Sequence, residues 1–421
     1  MASPFSAVLR SNYAASVLEA PQIEQIITKH DQGIAQIDKE IARTLVTLNR
    51  LQHRRAGLVA SRQAHRGLLS PIRRTPPELL AEIFVLCLPN DEFVGVDVSA
   101  APLLLVQICS HWRKIALSTQ RLWNSISVDI ECDEVRAYTL DCRPFGRKHS
   151  IEAWLSRSGN LPLSIKICYI DYDPQPISAD FVADFVFVDI FIPFSSRWSN
   201  LHLDLRQPPI ERLVCNSSIS TPNLETLTLD IQHDINRLAL TQTAPRLQKI
   251  TVLAGFLAPS YLKLPWSQLT EFRSLSALED DLEECLDFLQ LCPNLTRLSL
   301  ETIGDVSHVV SRPLVVMPRL SWLDLGSCTN PFRLLLDNLV VPSLREINFW
   351  AREQWCKSEL LSLVYRSSSP LELLNIQSME MVRVDLDACF ESIQTLRKIS
   401  VRISGVKRNY CRGQDQRGSE L

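Results

Sequence analysis

Cysteine, histidine and glycine are the residues whose types and spacing would indicate a metal site, a nucleophile or a phosphate-binding loop. The 421-residue chain contains 12 cysteines, 8 histidines and 12 glycines. No two cysteines have the CxxC spacing of a zinc site, and the chain has no GxG pair and no Walker-type, GxSxG or HExxH motif. The sequence therefore predicts no catalytic, cofactor-binding or metal-binding residues, and a protein that is not an enzyme.

The overall composition is that of a globular protein without a strong charge. The net charge is -3 at pH 7, and 46% of the residues are hydrophobic, so there is no general attraction to nucleic acid or to an anionic membrane. Residues 1–20 contain no clear secretory signal, and the apolar runs are much shorter than a membrane helix needs. We therefore expect a soluble intracellular protein, cytoplasmic and/or nuclear, with free thiols and with no nucleic-acid or membrane partner.

Residues 22–68 have the pattern of one long amphipathic helix, which follows a flexible N-terminus at residues 1–21. No proline occurs between Pro21 and Pro71, and apolar side chains fill most a and d positions of a heptad repeat. This stripe needs a partner, and two alternatives are open: a homodimer through residues 22–66, or packing within the same chain. The stripe consists of Ile27, Ile34, Ile37, Ile41, Leu48, Leu51 and Leu58.

The second half of the same helix is basic, and no acidic residue follows until Glu78. One interpretation is contact with the phosphates of nucleic acid or of anionic lipid. The other is a solvated helix face, which we favour because no aromatic side chain alternates with the arginines to stack on bases. The arginines are Arg43, Arg50, Arg54, Arg55, Arg62, Arg66, Arg73 and Arg74.

Residues 70–125 predict a small all-helical module. Thr75 is a candidate helix cap, followed by two prolines and by Glu78 three residues later. The helix that follows, Leu79–Leu88, has Glu82 as its one polar residue, and a second apolar block ends at Trp123. A unit of this size leaves much apolar surface exposed, so either the rest of the chain or another protein must cover it.

The paired motifs P-P-E-L-L-x-x-I-F and I-C-x-H-W-R-x-I-A, followed by L-W, resemble an F-box. An F-box is the helical module that binds the Skp-type adaptor of cullin-based ubiquitin ligases. Such modules usually carry leucine where this chain has Thr75, and if that leucine anchors the adaptor, this departure predicts weaker docking here. The residues that it assigns to adaptor binding are Pro76, Pro77, Glu78, Leu79, Leu80, Ile83, Phe84, Cys109, Trp112 and Trp123.

The rest of the chain contains a repeat of the form P-x-L-x-x-L-x-L. Nine copies, some weak, begin their apolar series at residues 198, 224, 247, 269, 295, 320, 344, 371 and 396. Their spacing of 22 to 27 residues is that of leucine-rich repeats, in which the L-x-L segment is a short buried strand. On this interpretation the exposed face of the strands carries residues such as Thr226, Arg297, Trp322 and Arg345.

Two further predictions concern the segments around these strands. The leucines from Leu275 to Leu289 recur at helical spacing, and we expect one helix there. Residues 127–194 are less regular and predict either degenerate opening turns of the same solenoid or a separate cap. The polar residues 405–421 predict a disordered tail.

Together these features predict an α/β chain with a long N-terminal helix, an F-box-like module at 70–125 and an irregular leucine-rich-repeat solenoid with a parallel sheet at 126–404. This order resembles F-box/leucine-rich-repeat proteins of the fungal type. The resemblance implies a substrate receptor of an SCF-type cullin ubiquitin ligase, with the Skp-type adaptor, the cullin complex and an unknown protein substrate as partners. The alternative is a scaffold protein that no longer binds the adaptor and self-associates through its N-terminal helix.

Overall fold

A computed structural model provides the structure of the chain, which forms two compact units, Met1–Leu79 and Leu80–Leu421. The residues that the structure describes are 3–132, 144–171, 189–204, 213, 219–230, 238–239, 244–253, 262–278, 282–303, 313–326, 330–351, 356–378, 383–403 and 406–411.

The first unit is dominated by helix α1, Ala20–Leu68, which confirms the predicted long N-terminal helix. Pro21 occupies the first turn, where its missing N–H has no intrahelical acceptor. At 1.5 Å per residue, α1 is about 74 Å long, and none of its residues is buried. A short 3-10 turn, Pro71–Arg74, follows it.

Three α-helices and a second 3-10 turn form the segment that resembles an F-box. Helix α2 begins in the first unit at Pro77, so the residue directly before it is Pro76 and the prediction of Thr75 as its cap is wrong by one position. The helices and the turn are α2 (Pro77–Leu86), α3 (Leu105–Ile108), α4 (Ser110–Ser118) and Gln120–Leu122.

A large, mostly parallel sheet occupies the rest of the chain. Twelve of the described strands form one sheet in chain order, and all neighbours are parallel except the last pair, β15 and β16. Each of the nine predicted repeat copies contributes one strand to it. The strands of this sheet are β1 (Ser125–Cys132), β2 (Leu163–Asp171), β3 (Trp198–Asp204), β4 (Thr226–Asp230), β6 (Lys249–Val252), β8 (Glu271–Leu278), β9 (Arg297–Ile303), β11 (Trp322–Leu325), β13 (Glu346–Ala351), β14 (Leu373–Ser378), β15 (Lys398–Ile403) and β16 (Val406–Cys411).

Short elements connect these strands. Two small parallel pairs, β5 with β7 and β10 with β12, join neighbouring connections. These strands are β5 (Leu238–Ala239), β7 (Leu262–Lys263), β10 (Val315–Val316) and β12 (Leu339–Val340). The α-helices between main strands are α5 (Pro144–Arg157), α6 (Leu282–Leu291), α7 (Asn330–Asn338), α8 (Lys357–Ser367) and α9 (Arg383–Ser392). Two 3-10 turns also precede strands, at Ile192–Arg197 and Trp266–Gln268.

Proline explains how the clear repeats begin. In four copies it is the second residue of a turn, the position that its fixed φ favours. The N–H of the leading leucine then donates to the carbonyl three residues earlier, at 3.1–3.3 Å: Leu224 to Thr221, Leu295 to Cys292, Leu320 to Met317, and Leu344 to Val341. The leading leucines of these copies are fully buried.

The strands alternate as the L-x-L pattern predicts. In β4, Leu227 and Leu229 are buried, while the alternating residues Thr226 and Thr228 are not. A parallel sheet of this kind needs cover on the buried face, which the connecting segments supply: Leu286 and Leu289 of α6 lie in the same core. The other face of the sheet carries the polar positions.

Three local predictions differ from the structure or are resolved by it. The single helix expected from Leu275 to Leu289 is wrong in its first part, because Leu275 and Leu278 belong to β8 and the helix begins at Leu282. The opening segment belongs to the main sheet, since β1 and β2 pair with it in parallel. The predicted disordered tail differs at Val406–Cys411, where β16 uses the free backbone edge of β15.

Candidate protein-docking site

Helix α2 has one buried and one exposed apolar face. Leu80 and Phe84 are fully buried, whereas Leu79 is 56%, Ile83 is 42% and Leu86 is 84% exposed. Residues 79, 83 and 86 follow the i, i+4, i+7 spacing that places side chains on one side of a helix. The described residues of the chain therefore cover only part of the apolar surface of α2.

Aromatic contacts hold the buried face of α2. The ring centroids of Phe84 and Trp112 are 4.8 Å apart. Trp123 is fully buried, and its indole N–H donates to the Ala116 carbonyl at 2.8 Å. The Phe84–Trp112 contact packs α2 against α4, and the Trp123 bond holds the turn that follows to the same helix.

Trp123 also joins this helical segment to the start of the sheet. Its ring meets the Trp154 ring of α5 edge to face, with centroids 4.9 Å apart, and the Arg157 guanidinium lies 4.8 Å from the Trp123 ring centre. The Trp154 indole N–H donates to the carbonyl of Ser125 in β1 at 3.2 Å. The helical segment and the first strands therefore share one aromatic core.

The sulfur of Cys109 caps α4. Its Sγ accepts the backbone N–H of Trp112 at 3.5 Å, and Cys109 has the extended backbone of a cap residue. Arg113 then donates from Nε to the Val106 carbonyl of α3 at 2.7 Å, which fixes the bend between the two helices. Cys109 is itself exposed, so it combines a structural bond with an accessible side chain.

The ten residues that sequence resemblance assigns to adaptor binding divide by exposure. Leu80, Phe84 and Trp123 are fully buried and support the helices. Trp112 is partly buried against the same core. The accessible members are Pro76, Pro77, Glu78, Leu79, Ile83 and Cys109.

Sequence reasoning missed further exposed apolar residues in this segment. Leu86, Leu104 and Ile108 are all exposed, although none was assigned to the site. The helical spacing of Leu86 from Leu79 and Ile83 was a signal that could have found it. Leu104 and Ile108 are also four residues apart, but a four-residue helix is too short for its exposed face to be recognised from sequence.

The charges around α2 contribute little energy. Arg121 donates to the Glu82 carboxylate at 2.7 Å, with both side chains more than half exposed. Exposed ion pairs of this kind contribute about 0 to 1 kcal/mol. The exposed apolar side chains of α2 are therefore the main feature of this surface, and the Arg121–Glu82 pair lies beside them.

The polar face of the sheet is a second surface with aligned side chains. The strand register places Thr226, Lys249, Glu271, Arg297 and Trp322 in one row. This confirms the predicted face position of Thr226, Arg297 and Trp322. Arg345 instead lies one residue before β13, where it pairs with Glu372 at 2.7 Å.

Contacts along this face organise its side chains. Lys249 and Glu271 form an ion pair at 3.6 Å, and the Arg297 guanidinium lies 4.2 Å from the centre of the Trp322 ring. Asn375 donates to Asn348 at 2.7 Å in the next row. The polar face of the sheet thus carries charged, amide and aromatic side chains that contact one another across neighbouring strands.

Burial perturbs a few titratable groups on the same face. Desolvation raises the pKa of Asp204, with the neighbouring Asp230 carboxylate adding to it. Desolvation also raises the pKa of Asp324, which the Ser299 hydroxyl bond partly opposes. Asp204 and Asp324 lie on separate strands of the sheet, and the described residues contain no group of His, Cys, Asp or Glu arranged to hold a metal ion.

Burial makes two of the described cysteines poor nucleophiles. Burial raises the pKa of Cys285 and that of Cys292 to about 12, so these two side chains are protonated at neutral pH. The structure places no disulfide bond at Cys87, Cys109, Cys168, Cys285, Cys292, Cys356, Cys389 or Cys411.

Comparison with known proteins gives no family for this chain. No protein-family model matches the sequence, and no curated protein matches it. Within the described part of the chain, no helix combines the length and the apolarity that crossing a membrane requires.

Proposed function

We propose that this protein is a substrate-recognition subunit of an SCF-type cullin ubiquitin ligase. In this proposal the segment 70–125 is an F-box-like module that binds a Skp-type adaptor. The observation that carries the proposal is the exposed apolar face of α2, which belongs to the helix that opens the F-box-like motif.

Energetics favour an external partner for this face. Burying one leucine or isoleucine side chain is worth about 1.5 to 3 kcal/mol. Leu79, Ile83 and Leu86 lie on one face of α2 and are all exposed, so an unpartnered chain forgoes several kcal/mol of burial. Soluble monomers seldom expose a continuous apolar helix face, and such a face commonly marks a protein interface.

The repeat region would present the substrate. We interpret the twelve-stranded sheet as an irregular leucine-rich-repeat solenoid, supported by the chain-order pairing of strands and the proline turn before the clear copies. Its polar face would bind a protein, with Arg297 and Trp322 at a central row. The Trp123–Trp154 contact would hold this face in a fixed relation to the adaptor-binding helix.

The chain would act by proximity and supply no reacting group. A substrate held on the solenoid has a high effective concentration near a ubiquitin carrier bound elsewhere in the ligase. A rigid connection between the two binding surfaces serves this role, because it limits the positions that the substrate lysines can take.

Binding of the full chain to a purified Skp-type adaptor tests the proposal. We expect the wild-type protein to co-elute with the adaptor, and Ile83→Asp to weaken the affinity by at least about thirty-fold, because a charge would enter an apolar interface. Ile83 is exposed, so circular dichroism should show an unchanged fold. Trp112→Ala is unsuitable, since truncating this partly buried ring would itself cost about 3 to 5 kcal/mol of stability.

Tyr365→Asp is the matched control, because Tyr365 on α8 is also an exposed large side chain. It should bind the adaptor as the wild type does. A folded wild-type protein that does not bind the adaptor, or an Ile83→Asp variant with wild-type affinity, would contradict the proposal. The first of these results would favour the scaffold alternative.

A further inference from the structure

The apolar stripe of α1 remains exposed along its length. The stripe residues Ile27, Ile34, Ile37, Ile41, Leu48, Leu51 and Leu58 are 49% to 64% exposed. None of the helix's residues is buried, so within the unit Met1–Leu79 nothing covers the stripe. A helix of about 74 Å with such a stripe gains stability by pairing with another helix.

The charges on α1 are divided between its two halves. Residues 20–42 carry four carboxylates and two lysines, a net charge of -2, whereas residues 43–68 carry six arginines and no carboxylate, a net charge of +6. This division of charge favours one orientation of two paired α1 helices over the other. A parallel pair would place +6 beside +6, and an antiparallel pair places each basic half beside an acidic half.

We propose that α1 forms an antiparallel coiled-coil homodimer with a second copy of this chain. In an antiparallel pair, each a position of one helix faces a d position of the other. In the register that we propose, the residue numbers of each facing pair add up to 85. It pairs Ile27 of one copy with Leu58 of the other, and Ile34 with Leu51. Apolar residues of the stripe then meet apolar residues along most of the interface.

The polar residues that occupy a and d positions within the stripe support the same register. Arg55 occupies an a position, and in a parallel pair it would face Arg55 of the other copy. In the antiparallel register it lies beside His30 and next to Asp31, a carboxylate that can pair with the guanidinium. The arrangement thus gives Arg55 an acidic neighbour in place of a repelling one.

This inference goes beyond the proposed function and does not depend on it, since it concerns residues before the F-box-like segment. Sedimentation equilibrium of the full chain tests the association. Leu48→Asp should raise the dimer dissociation constant at least about a hundred-fold, because it places a charge in two layers of the interface.

Val46→Asp is the matched control for this variant. Val46 is two residues away and more exposed than Leu48, and at 100° per residue it points away from the stripe. It should leave the dissociation constant within about two-fold of the wild type. A wild-type chain that stays monomeric at high concentration, or equal effects of the two substitutions, would overturn the proposal.

Photo-crosslinking determines the orientation. The photoreactive residue p-benzoylphenylalanine, incorporated at Ile34 in the full chain, should crosslink to the tryptic peptide that contains Leu51 of the other copy. Mixing isotope-labelled and unlabelled protein identifies such intermolecular products by mass. A crosslink from position 34 to the same position of the other copy would indicate a parallel dimer, and a product within one chain beyond residue 79 would indicate fold-back. Either result would overturn the proposal.

Discussion

At the scale of single residues, His202 shows how the loop before the first strand is fixed to the sheet. Its side chain lies on the polar face of β3, and the ring of Phe93 meets it edge to face with centroids 5.9 Å apart. Glu92, next to Phe93, accepts a hydrogen bond from the Asn200 side chain, also in β3. Burial, and then the charge of Lys166, lower the pKa of His202 to about 4, while Glu92 opposes the shift.

This lowered pKa predicts an acid-sensitive contribution to stability. The unfolded chain binds a proton at His202 below about pH 6.5, whereas the folded chain does not until about pH 4. Stability must therefore fall as the pH decreases through this window. We expect His202→Gln to reduce the loss between about pH 7 and about pH 5 by about 1 kcal/mol, a value reduced for the partial exposure of the ring.

Urea unfolding at the two pH values measures this effect, with His149→Gln as the control because His149 is largely exposed. The control should keep the wild-type pH dependence. If His202→Gln also kept it, the ring would not be held neutral by its surroundings.

At the scale of elements, the sequence predicts the strands better than the connections between them. The L-x-L alternation that buries Leu323 and Leu325 has period two. It is a local pattern, so the strand can be predicted without knowledge of its neighbours. The strand β8 continues to Leu278, where leucines at three-residue spacing look helical. Only pairing with β9 explains why that segment is extended, and pairing is a long-range property.

Helix α2 shows the same limit. The apolar sequence of α2 predicts that it needs cover on all sides, but it does not show which side the chain itself covers. That choice depends on the contact of Phe84 with Trp112, which lies about thirty residues later in the chain. Phe84 and Ile83 are adjacent and both apolar, yet one is fully buried and the other exposed.

The two edges of the main sheet are protected by different elements. One of these elements, β16, lies near the C-terminus and can be removed by truncation. At β1 the Ser127 N–H donates to the Val94 carbonyl at 2.7 Å. At the other edge β16 pairs with β15, and the Ser400 hydroxyl bonds to Asn409 at 2.8 Å. Ending the chain at Ile403 should expose the backbone of β15 and cause self-association.

Light scattering on heating measures this outcome. The control is a chain ending at Cys411, which keeps β16 and should behave as the full protein does. Equal scattering from the two truncated chains would show that β16 does not protect the edge.

At the scale of the whole molecule, the two proposed interfaces use separate segments and are open to independent disruption. The α1 stripe ends at Leu58, and the α2 face begins at Leu79. If both interfaces form, one assembly contains two receptor chains and two adaptors. Two substrate-binding surfaces in one complex would favour substrates that are themselves dimeric, because the second contact then forms at high effective concentration.

Mass measurements on the complex with adaptor therefore yield a different result for each variant. The chain has a mass of 47.8 kDa, so light scattering coupled to gel filtration distinguishes the stoichiometries. For the wild type we expect a complex of two chains and two adaptors. Leu48→Asp should give one chain with one adaptor, and Ile83→Asp should give a dimer of the chain without adaptor. Because each substitution changes an exposed side chain in a different helix, their effects should be additive, and the double variant should elute as a free monomer. A Leu48→Asp chain that also lost the adaptor would mean that dimerisation and docking are coupled, and the two surfaces would then have to be treated as one.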